Sequence, residues 1–173
     1  AMKDQDGMDA VQNHMTNTRN APVEAIEVAY PLRVEAYELV PDSEGAGEHR
    51  GGVGLRRAIR VEGNGVQLTL SSDRAEVPPW GIFGGLPASP SSCTVTQGDG
   101  EVSRLPSKIT TRLDAGSVIV TETPGGGGWG DPRRRDPEAV RSDVVEGLVS
   151  IERAREVYGV AIDDGTMEID AGG

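Results

Sequence analysis

The chain has 173 residues and a formal net charge of −11, from 28 Asp and Glu against 17 Lys and Arg. This acidic balance argues against nucleic acid or an anionic membrane as a partner, because both carry negative charge themselves. The 24 Gly and 11 Pro residues indicate many turns and therefore many short strands. The single cysteine, Cys93, excludes an internal disulfide framework, and with no apolar run long enough to span a membrane we expect a cytoplasmic protein.

The first part of the chain, residues 1–31, is predicted to be a polar loop segment, because it shows no sustained helical or strand period. One helical turn is predicted at 23–28, with Val23 and Ile26 on the same side. Pro31 is expected to end it.

Period-two alternation begins at Leu32 and predicts an antiparallel β region over 32–132. Asn64-Gly65 is a dipeptide typical of tight β-turns, so the strands at 55–62 and 66–70 are predicted to form a hairpin. The connections elsewhere are short, which favours antiparallel neighbours. Other strands are predicted at 32–39, 93–96, 108–113 and 117–122, with loops at 41–52 and 77–92.

Residues 133–173 are predicted to be a helical C-terminal segment with a terminal β turn. Asp136 is the expected N-cap of one helix and Ser150 that of a second, which Gly159 ends in a left-handed conformation. The fold class is therefore α+β, with mainly antiparallel β strands and loops and two short C-terminal helices. The apolar face of the first helix is predicted from Val140, Val144, Val145 and Leu148, and a last edge strand is predicted at 160–162.

The polar motif NHMTNTRN, residues 13–20, carries polar or charged side chains at seven of its eight positions. Such a density of amide, imidazole and guanidinium groups suits an active-site loop that holds a polar ring by directed hydrogen bonds. A solvated surface loop has a similar composition, and on the residues alone that alternative is favoured.

The glycine-rich segment TPGGGGWGDP, residues 123–132, contains the spacing G-x-G-x-x-G at Gly125, Gly127 and Gly130. A nucleotide-binding interpretation is weak, because the neighbouring strands are antiparallel and no Lys-Ser/Thr pair follows the glycines. A tight structural crossing packed by Trp129 is favoured instead.

The remaining candidates for chemistry are few. The histidines are His14 and His49, no Cys or His pair has metal-ligand spacing, and no metal site is predicted. Cys93 is interpreted as a buried small residue. The basic run at 133–135 is interpreted as a solvated run or an interface contact.

Four segments, in this order, resemble the hydantoinase B/oxoprolinase family, and together they span nearly the whole chain. They are DGMDAVQNHMTNTRNAPVEAIEVAYPLRVEAYEL at 6–39, GGVGL at 51–55, TPGGGGWGDP at 123–132 and DPEAVRSDVVEGLVSIERAREVYGV at 136–160.

The resemblance implies the C-terminal portion of a B-type subunit in an ATP-dependent complex that opens small cyclic amides such as hydantoin or 5-oxoproline. It implies two protein partners: a hydantoinase A-type ATPase subunit and the N-terminal part of the B-type subunit. ATP and Mg are then expected at the level of the complex, bound by a partner subunit and not by this chain. Two alternatives stay open: a truncated, catalytically inactive interaction module, and part of a related ATP-dependent ketone carboxylase.

The resemblance also shifts the polar motif from loop to site lining. It implies catalytic roles for His14 and Arg19 and substrate binding by Asn17 and Asn20. His14 is the plausible proton carrier of this set. The resemblance does not decide whether the glycine-rich loop, formed by Gly125, Gly126, Gly127, Gly128 and Gly130, contacts ligand or only packs.

Overall fold

The computed structural model describes residues 1–11 and 20–170. Within these ranges, seven strands and three short α-helices form the α+β fold that the sequence predicts. In this part of the chain no helix is both long and apolar enough to cross a bilayer. The elements are α1 (Val23–Ala29), β1 (Leu32–Leu39), β2 (Leu55–Val61), β3 (Val66–Ser71), β4 (Ser92–Thr96), β5 (Val102–Arg104), β6 (Lys108–Leu113), β7 (Val118–Glu122), α2 (Pro137–Val145) and α3 (Ile151–Arg153).

The larger sheet of the described residues has five strands in the order β1-β2-β7-β4-β5, and every neighbouring pair is antiparallel. The predicted strand at 32–39 is confirmed, and its half-buried side chains alternate from Leu32 to Ala36. A register shift between Val34 and Ala36 interrupts the pairing with β2. The short edge strand β5 was not predicted, since three residues are too few to show a period.

The predicted hairpin of residues 55–62 with 66–70 is wrong. Both edges of β2 are already occupied, by β1 on one side and β7 on the other, so β3 pairs with β6 in a separate two-stranded sheet of the described chain. The turn at Asn64 packs beside the turn at Asp114, and their side chains accept hydrogen bonds from Ala115 N at 3.1 Å and Gly65 N at 2.9 Å. The chain therefore passes from the five-stranded sheet to the two-stranded sheet between β2 and β3 and returns between β6 and β7, and these two connections lie side by side.

The core between the two sheets lies at this corner. It contains Val61, Cys93, Val95, Leu113 and Ile119, all buried. The interpretation of Cys93 as a buried small residue is confirmed. Because Val61 and Leu113 are the last residues of β2 and β6, the sheets are held together where the chain changes sheet.

The C-terminal segment forms a second core with the loop at 41–52. The predicted caps are confirmed: Asp136 accepts from Glu138 N at 3.1 Å, Ser150 accepts from Arg153 N at 3.1 Å, and Gly159 has a φ of 78°. Past Arg153 the chain continues as a π-helical turn, Ala154–Tyr158. The buried cluster comprises Ala46, Val140, Val144, Val149, Ala154, Tyr158, Val160 and Ile162.

Two predictions for this segment are wrong. Val145 is 57% exposed, because the buried face of α2 is formed by Val140, Asp143 and Val144. The predicted edge strand at 160–162 is reduced to one isolated bridge between Ile162 and Ile169.

Candidate functional site

The polar motif is described only at its last residue. Predicted site residues His14, Asn17 and Arg19 lie outside the described residues. Asn20 is exposed, and its side-chain amide donates a 2.7 Å hydrogen bond to the hydroxyl of Tyr37 on β1. The guanidinium of Arg57 lies over the Tyr37 ring, 5.0 Å from its centre.

The other flank of the motif is tied to the residues that precede β2. Ala10 N donates to the carbonyl of Val53 at 3.1 Å, and the Asp9 carboxylate accepts from Val53 N at 2.8 Å. Arg50 also donates to Asp9, again at 2.8 Å. Tyr37 is the strand partner of Arg57 on β2, so Asn20 contacts a residue that is paired with β2. The chain before the motif and the last residue of the motif therefore both contact residues 53–57 or their direct strand partner.

The glycine-rich segment meets the same stretch of chain. Thr123 N donates to Leu55 O and Gly126 N donates to Gly52 O, both at 2.8 Å. Residues 7–10, 50–55 and 123–126 are thus joined directly by main-chain hydrogen bonds, and we call this meeting point the junction. It brings together the flank of the polar motif, the GGVGL segment and the glycine-rich segment, three of the features that the sequence singled out.

The glycines of this segment pack against other backbone. A Cβ on Gly125 would come within 2.8 Å of the Gly52 carbonyl oxygen, and one on Gly127 within 2.6 Å of the Trp80 carbonyl carbon. A side chain is therefore excluded for steric reasons at Gly125 and Gly127. The amides of Gly126, Gly128, Trp129 and Gly130 donate to the carbonyls of Gly52, Leu86, His49 and Ile82, so these four are engaged within the fold.

Below the junction lies a cluster of ion pairs that sequence reasoning missed. Arg50 donates to Asp9 and Asp143, and Arg135 donates to Asp6 and Asp143, with distances of 2.7–2.8 Å for the shortest contact of each pair. The interpretation of residues 133–135 as a solvated run is therefore wrong for Arg135, which is buried, while Arg133 and Arg134 are exposed. Because Asp6 and Asp9 precede the polar motif, the cluster fixes the chain that leads into it.

One signal for this cluster was available in the sequence. Asp143 stands three positions after Val140 and next to Val144, within the stripe that a helix starting at Asp136 must bury. A carboxylate on a buried face requires partners, and this predicts buried basic residues nearby. Nothing in the local sequence specifies that the partners are Arg50 and Arg135, because the contacts span 93 and 8 positions.

The cluster makes stability depend on pH through Asp6. Burial alone would raise the pKa of this carboxyl, but the hydrogen bond and charge of Arg135 outweigh it and hold the pKa below its ordinary value. A carboxyl whose pKa is lower in the folded state contributes stability above its unfolded pKa, and that contribution is lost as the pH falls through the folded pKa.

We therefore expect Asp6→Asn to be less stable than the parent at neutral pH, with a difference that narrows below about pH 4. Thermal melts recorded from about pH 7 to about pH 3 measure this difference. Asp164→Asn is the control, since Asp164 is exposed. Parallel melting curves for parent and Asp6→Asn across this window would contradict the role of the ion pair.

A second buried carboxylate, Glu44, ties the loop at 41–52 to the C-terminal segment. Its Oε1 accepts from Arg153 Nε at 2.7 Å and from the Tyr158 hydroxyl at 3.1 Å, and the side chain is fully buried. Burial raises the pKa of Glu44 despite these donors. Within the described residues its Oε2 has no hydrogen-bond partner, so one oxygen of this buried structural carboxylate is unsatisfied.

An open groove of about 440 Å³ lies beside the junction, where β1 and β7 end and β2 and β4 begin. Its polar lining includes Arg56, Glu38 and Glu122; Arg56 contacts Glu38 at 2.6 Å, and Glu122 accepts from Ser92 at 3.1 Å. The groove is large enough for a small cyclic molecule. Over residues 1–11 and 20–170, no group of three or more His, Cys, Asp and Glu side chains is placed to hold a metal ion.

Comparisons with known proteins show which family the chain resembles. The family model for hydantoinase B/oxoprolinase matches residues 1–132. A protein of Pseudomonas sp. (strain NS671), named as the putative B-type subunit of a D-/L-hydantoinase, is 40% identical over 167 residues, which is 95% of this chain and 28% of the relative.

Two solved structures share the fold. The ATP-dependent caprolactamase from Pseudomonas jessenii is 32% identical, with a TM-score of 0.63 over 86% of this chain and 26% of its own. Nucleotide-free acetone carboxylase superposes with a TM-score of 0.86 over 99% of this chain and 27% of its own; at 23% identity this likeness concerns the fold alone. The chain spans about a quarter of the length of these proteins. Since the family model covers most of its residues, the chain belongs to the hydantoinase B/oxoprolinase family.

Proposed function

We propose that this chain forms the C-terminal portion of the B-type subunit of an ATP-dependent cyclic amide hydrolase, which opens the ring of hydantoin or 5-oxoproline. The observation that carries the proposal is the 40% identity with the Pseudomonas sp. relative over 95% of this chain. The likeness to an ATP-dependent caprolactamase, at 32% identity, supports the same reaction class. A hydantoinase A-type subunit and the remaining part of the B-type subunit are the proposed protein partners.

The chemistry requires activation of the amide. Resonance makes a lactam carbonyl a poor electrophile, and phosphorylation of its oxygen creates a leaving group that permits attack by water. The described glycine-rich segment does not fit a phosphate cradle, since the amides of Gly126, Gly128 and Gly130 donate to backbone carbonyls. We therefore assign ATP and magnesium to the A-type subunit and the activated ring to the B-type subunit.

For this chain we propose four residues of the polar motif as site lining. Arg19 and Asn17 have the donors that stabilise negative charge on the activated ring. His14 is proposed to carry the proton. Asn20, whose amide already contacts Tyr37, is proposed to bind the ring at the edge of the site.

The proposal is tested by reconstitution. The chain is mixed with an A-type subunit and a separately made N-terminal fragment of the B-type subunit, and ATP-dependent formation of the ring-opened amide is measured with hydantoin and with 5-oxoproline. Activity is expected only in the complete mixture with ATP. Acetone with bicarbonate is the alternative substrate pair. Turnover of that pair alone would replace the hydrolase with a carboxylase, and inactivity of the complete mixture would remove the enzymatic proposal.

In that mixture, His14→Ala and Arg19→Ala are each expected to reduce turnover about a hundredfold, because each removes a group proposed to stabilise or protonate the reacting ring. Stability should change by less than about 0.5 kcal/mol, since a polar segment contributes little to a core. Turnover and thermal melting are measured on the same preparations.

Arg33→Ala is the matched control for Arg19→Ala, because Arg33 is an exposed arginine on β1 outside the motif. It should leave turnover unchanged. A site variant that melts far below the parent, yet keeps normal turnover per folded molecule, would identify its residue as structural.

A further inference from the structure

The loop between β3 and β4 exposes an unusual concentration of large apolar side chains. Trp80 is 65% exposed and Phe83 79%. We call this surface the apolar loop face; its members are Val77, Trp80, Ile82, Phe83 and Leu86. Other large apolar residues, such as Val102 on β5 and Val145 on α2, are exposed singly on separate elements, which is ordinary for a protein surface. Five exposed large apolar side chains within the ten residues 77–86 indicate an interaction surface.

The backbone beneath this face is held in place by hydrogen bonds. Ile82 N donates to Gly128 O, and Ile82 O accepts from Gly130 N, both at 3.0 Å. Leu86 is fixed in the same way, donating to Ala46 O at 2.7 Å and accepting from Gly128 N at 3.1 Å. A surface held in one conformation loses little conformational entropy when it binds, so the face is prepared for a partner.

Phe83 gives a further indication. Its φ is 54°, in the left-handed region that bulky residues rarely adopt. The ring is nevertheless mostly exposed, and its centre lies 5.7 Å from that of the Trp129 ring. Within this chain such a residue adds strain and little burial, and a function outside the chain explains both.

We propose that the apolar loop face packs against the remaining part of the B-type subunit. This rests on the placement of the chain within such a subunit, as proposed above, but not on the chemistry of that subunit. The matching segment makes up 28% of the Pseudomonas sp. relative, and the same fold makes up 27% of the acetone carboxylase chain. In each of these two proteins about three quarters of the chain lies outside the matching part, and in the subunit proposed above the corresponding part is available to cover an apolar surface.

A second copy of this chain is a poorer occupant. Each copy carries a formal charge of −11, so two copies repel each other electrostatically. The apolar loop face consists of uncharged side chains and provides no ion pairs that would offset this repulsion. A face covered by the same subunit also avoids the translational entropy lost in a separate association, which suits a small apolar patch.

The test uses the full-length Pseudomonas sp. relative in which the matching segment is replaced by this chain. Hydrogen exchange of residues 77–86, chymotrypsin cleavage after Trp80 and Phe83, and acrylamide quenching of tryptophan are compared between this chimera and the isolated chain. Trp80 and Trp129 are the two tryptophans of this chain, and the part of the quenching signal that Trp80→Phe removes reports Trp80 in both proteins. We expect all three signals to show protection of the loop in the chimera.

A binding measurement repeats the comparison with separate pieces. The relative without its matching segment is titrated with the isolated chain, and the double variant Trp80→Ser/Phe83→Asn should weaken binding at least about thirtyfold. Asn is chosen at position 83 because it tolerates the left-handed backbone. Val102→Ser, at a residue 66% exposed on the edge strand β5, is the control and should bind like the parent.

Three outcomes would overturn the proposal. The first is a loop that is as exposed in the chimera and in the mixture as in the isolated chain, and the second is equal weakening of binding by the control Val102→Ser. The third is self-association of the isolated chain that the double variant abolishes. The last result would assign the face to a second copy. None of these readouts needs ATP or a cyclic amide. A chimera that protects the loop but opens no ring when it is mixed with the A-type subunit and ATP would therefore refute the proposed function and leave this inference standing.

Discussion

Gly51→Ala is expected to destabilise the fold by about 4 kcal/mol or more, which places it among the most damaging single substitutions in a protein of this size. A Cβ at this position would overlap the carbonyl oxygen of Gly126 and lie 3.0 Å from the Gly126 Cα. Both obstacles are backbone atoms, so no side-chain rotation relieves the overlap. The two backbone segments of the junction must separate, breaking the 2.8 Å hydrogen bonds that join Gly126 to Gly45 and Gly52.

Urea unfolding of the parent and the variant measures this loss, and Gly98→Ala provides a matched control. Gly98 is exposed, and a Cβ there would meet only the carbonyl oxygen of Ala115 at 3.4 Å, an ordinary contact. The control is expected to change stability by no more than about 1 kcal/mol. If Gly51→Ala and Gly98→Ala unfold at the same urea concentration, the crossing of the two glycine-containing segments is looser than the structure shows.

The same crossing explains which features of the candidate site the sequence could predict. A run of glycines predicts close backbone approach, and the structural crossing that the sequence favours matches the packing around Gly125 and Gly127. The partner of that crossing was not predictable, because Gly51 and Gly126 are 75 positions apart and only tertiary structure joins them. Local patterns specify what a segment needs, but not which distant segment supplies it.

The fold shows the same division between local and long-range information. The caps at Asp136 and Ser150 were predictable, because each depends on residues within one turn of helix. The hairpin predicted at Asn64 failed, although the turn itself forms. A turn signal shows only that the chain reverses locally. Whether β3 then pairs with β2 depends on whether β1 and β7 already occupy the two edges of β2.

Asp143→Ala is expected to cost at least about 3 kcal/mol, because it leaves the N–H donors of two buried guanidinium groups without their shared acceptor. Asp143 accepts from Arg50 Nε and from an Arg135 amino group, both at 2.8 Å, and it is the residue that joins the two halves of the cluster. Its loss leaves each buried guanidinium with a single carboxylate, Asp9 for Arg50 and Asp6 for Arg135, and removes the acceptor of Arg50 Nε. Within the described residues the Nε of Arg135 already lacks a hydrogen-bond partner, so the loss of Asp143 adds to the unsatisfied donors of this buried side chain.

The melting temperature should therefore fall by roughly 6–12 °C in a chain of this length, whereas Asp164→Ala, at an exposed aspartate, should melt like the parent. A second measurement separates stability from a role at the junction. Asp6 and Asp9 would keep their arginine contacts in the variant, so hydrogen exchange at Ala10, whose amide donates to Val53, should increase only through global unfolding. If exchange at Ala10 is faster under conditions where the variant stays folded, Asp143 also holds the chain that enters the polar motif. The loss of Asp143 would then reduce turnover in the reconstituted mixture as well as stability.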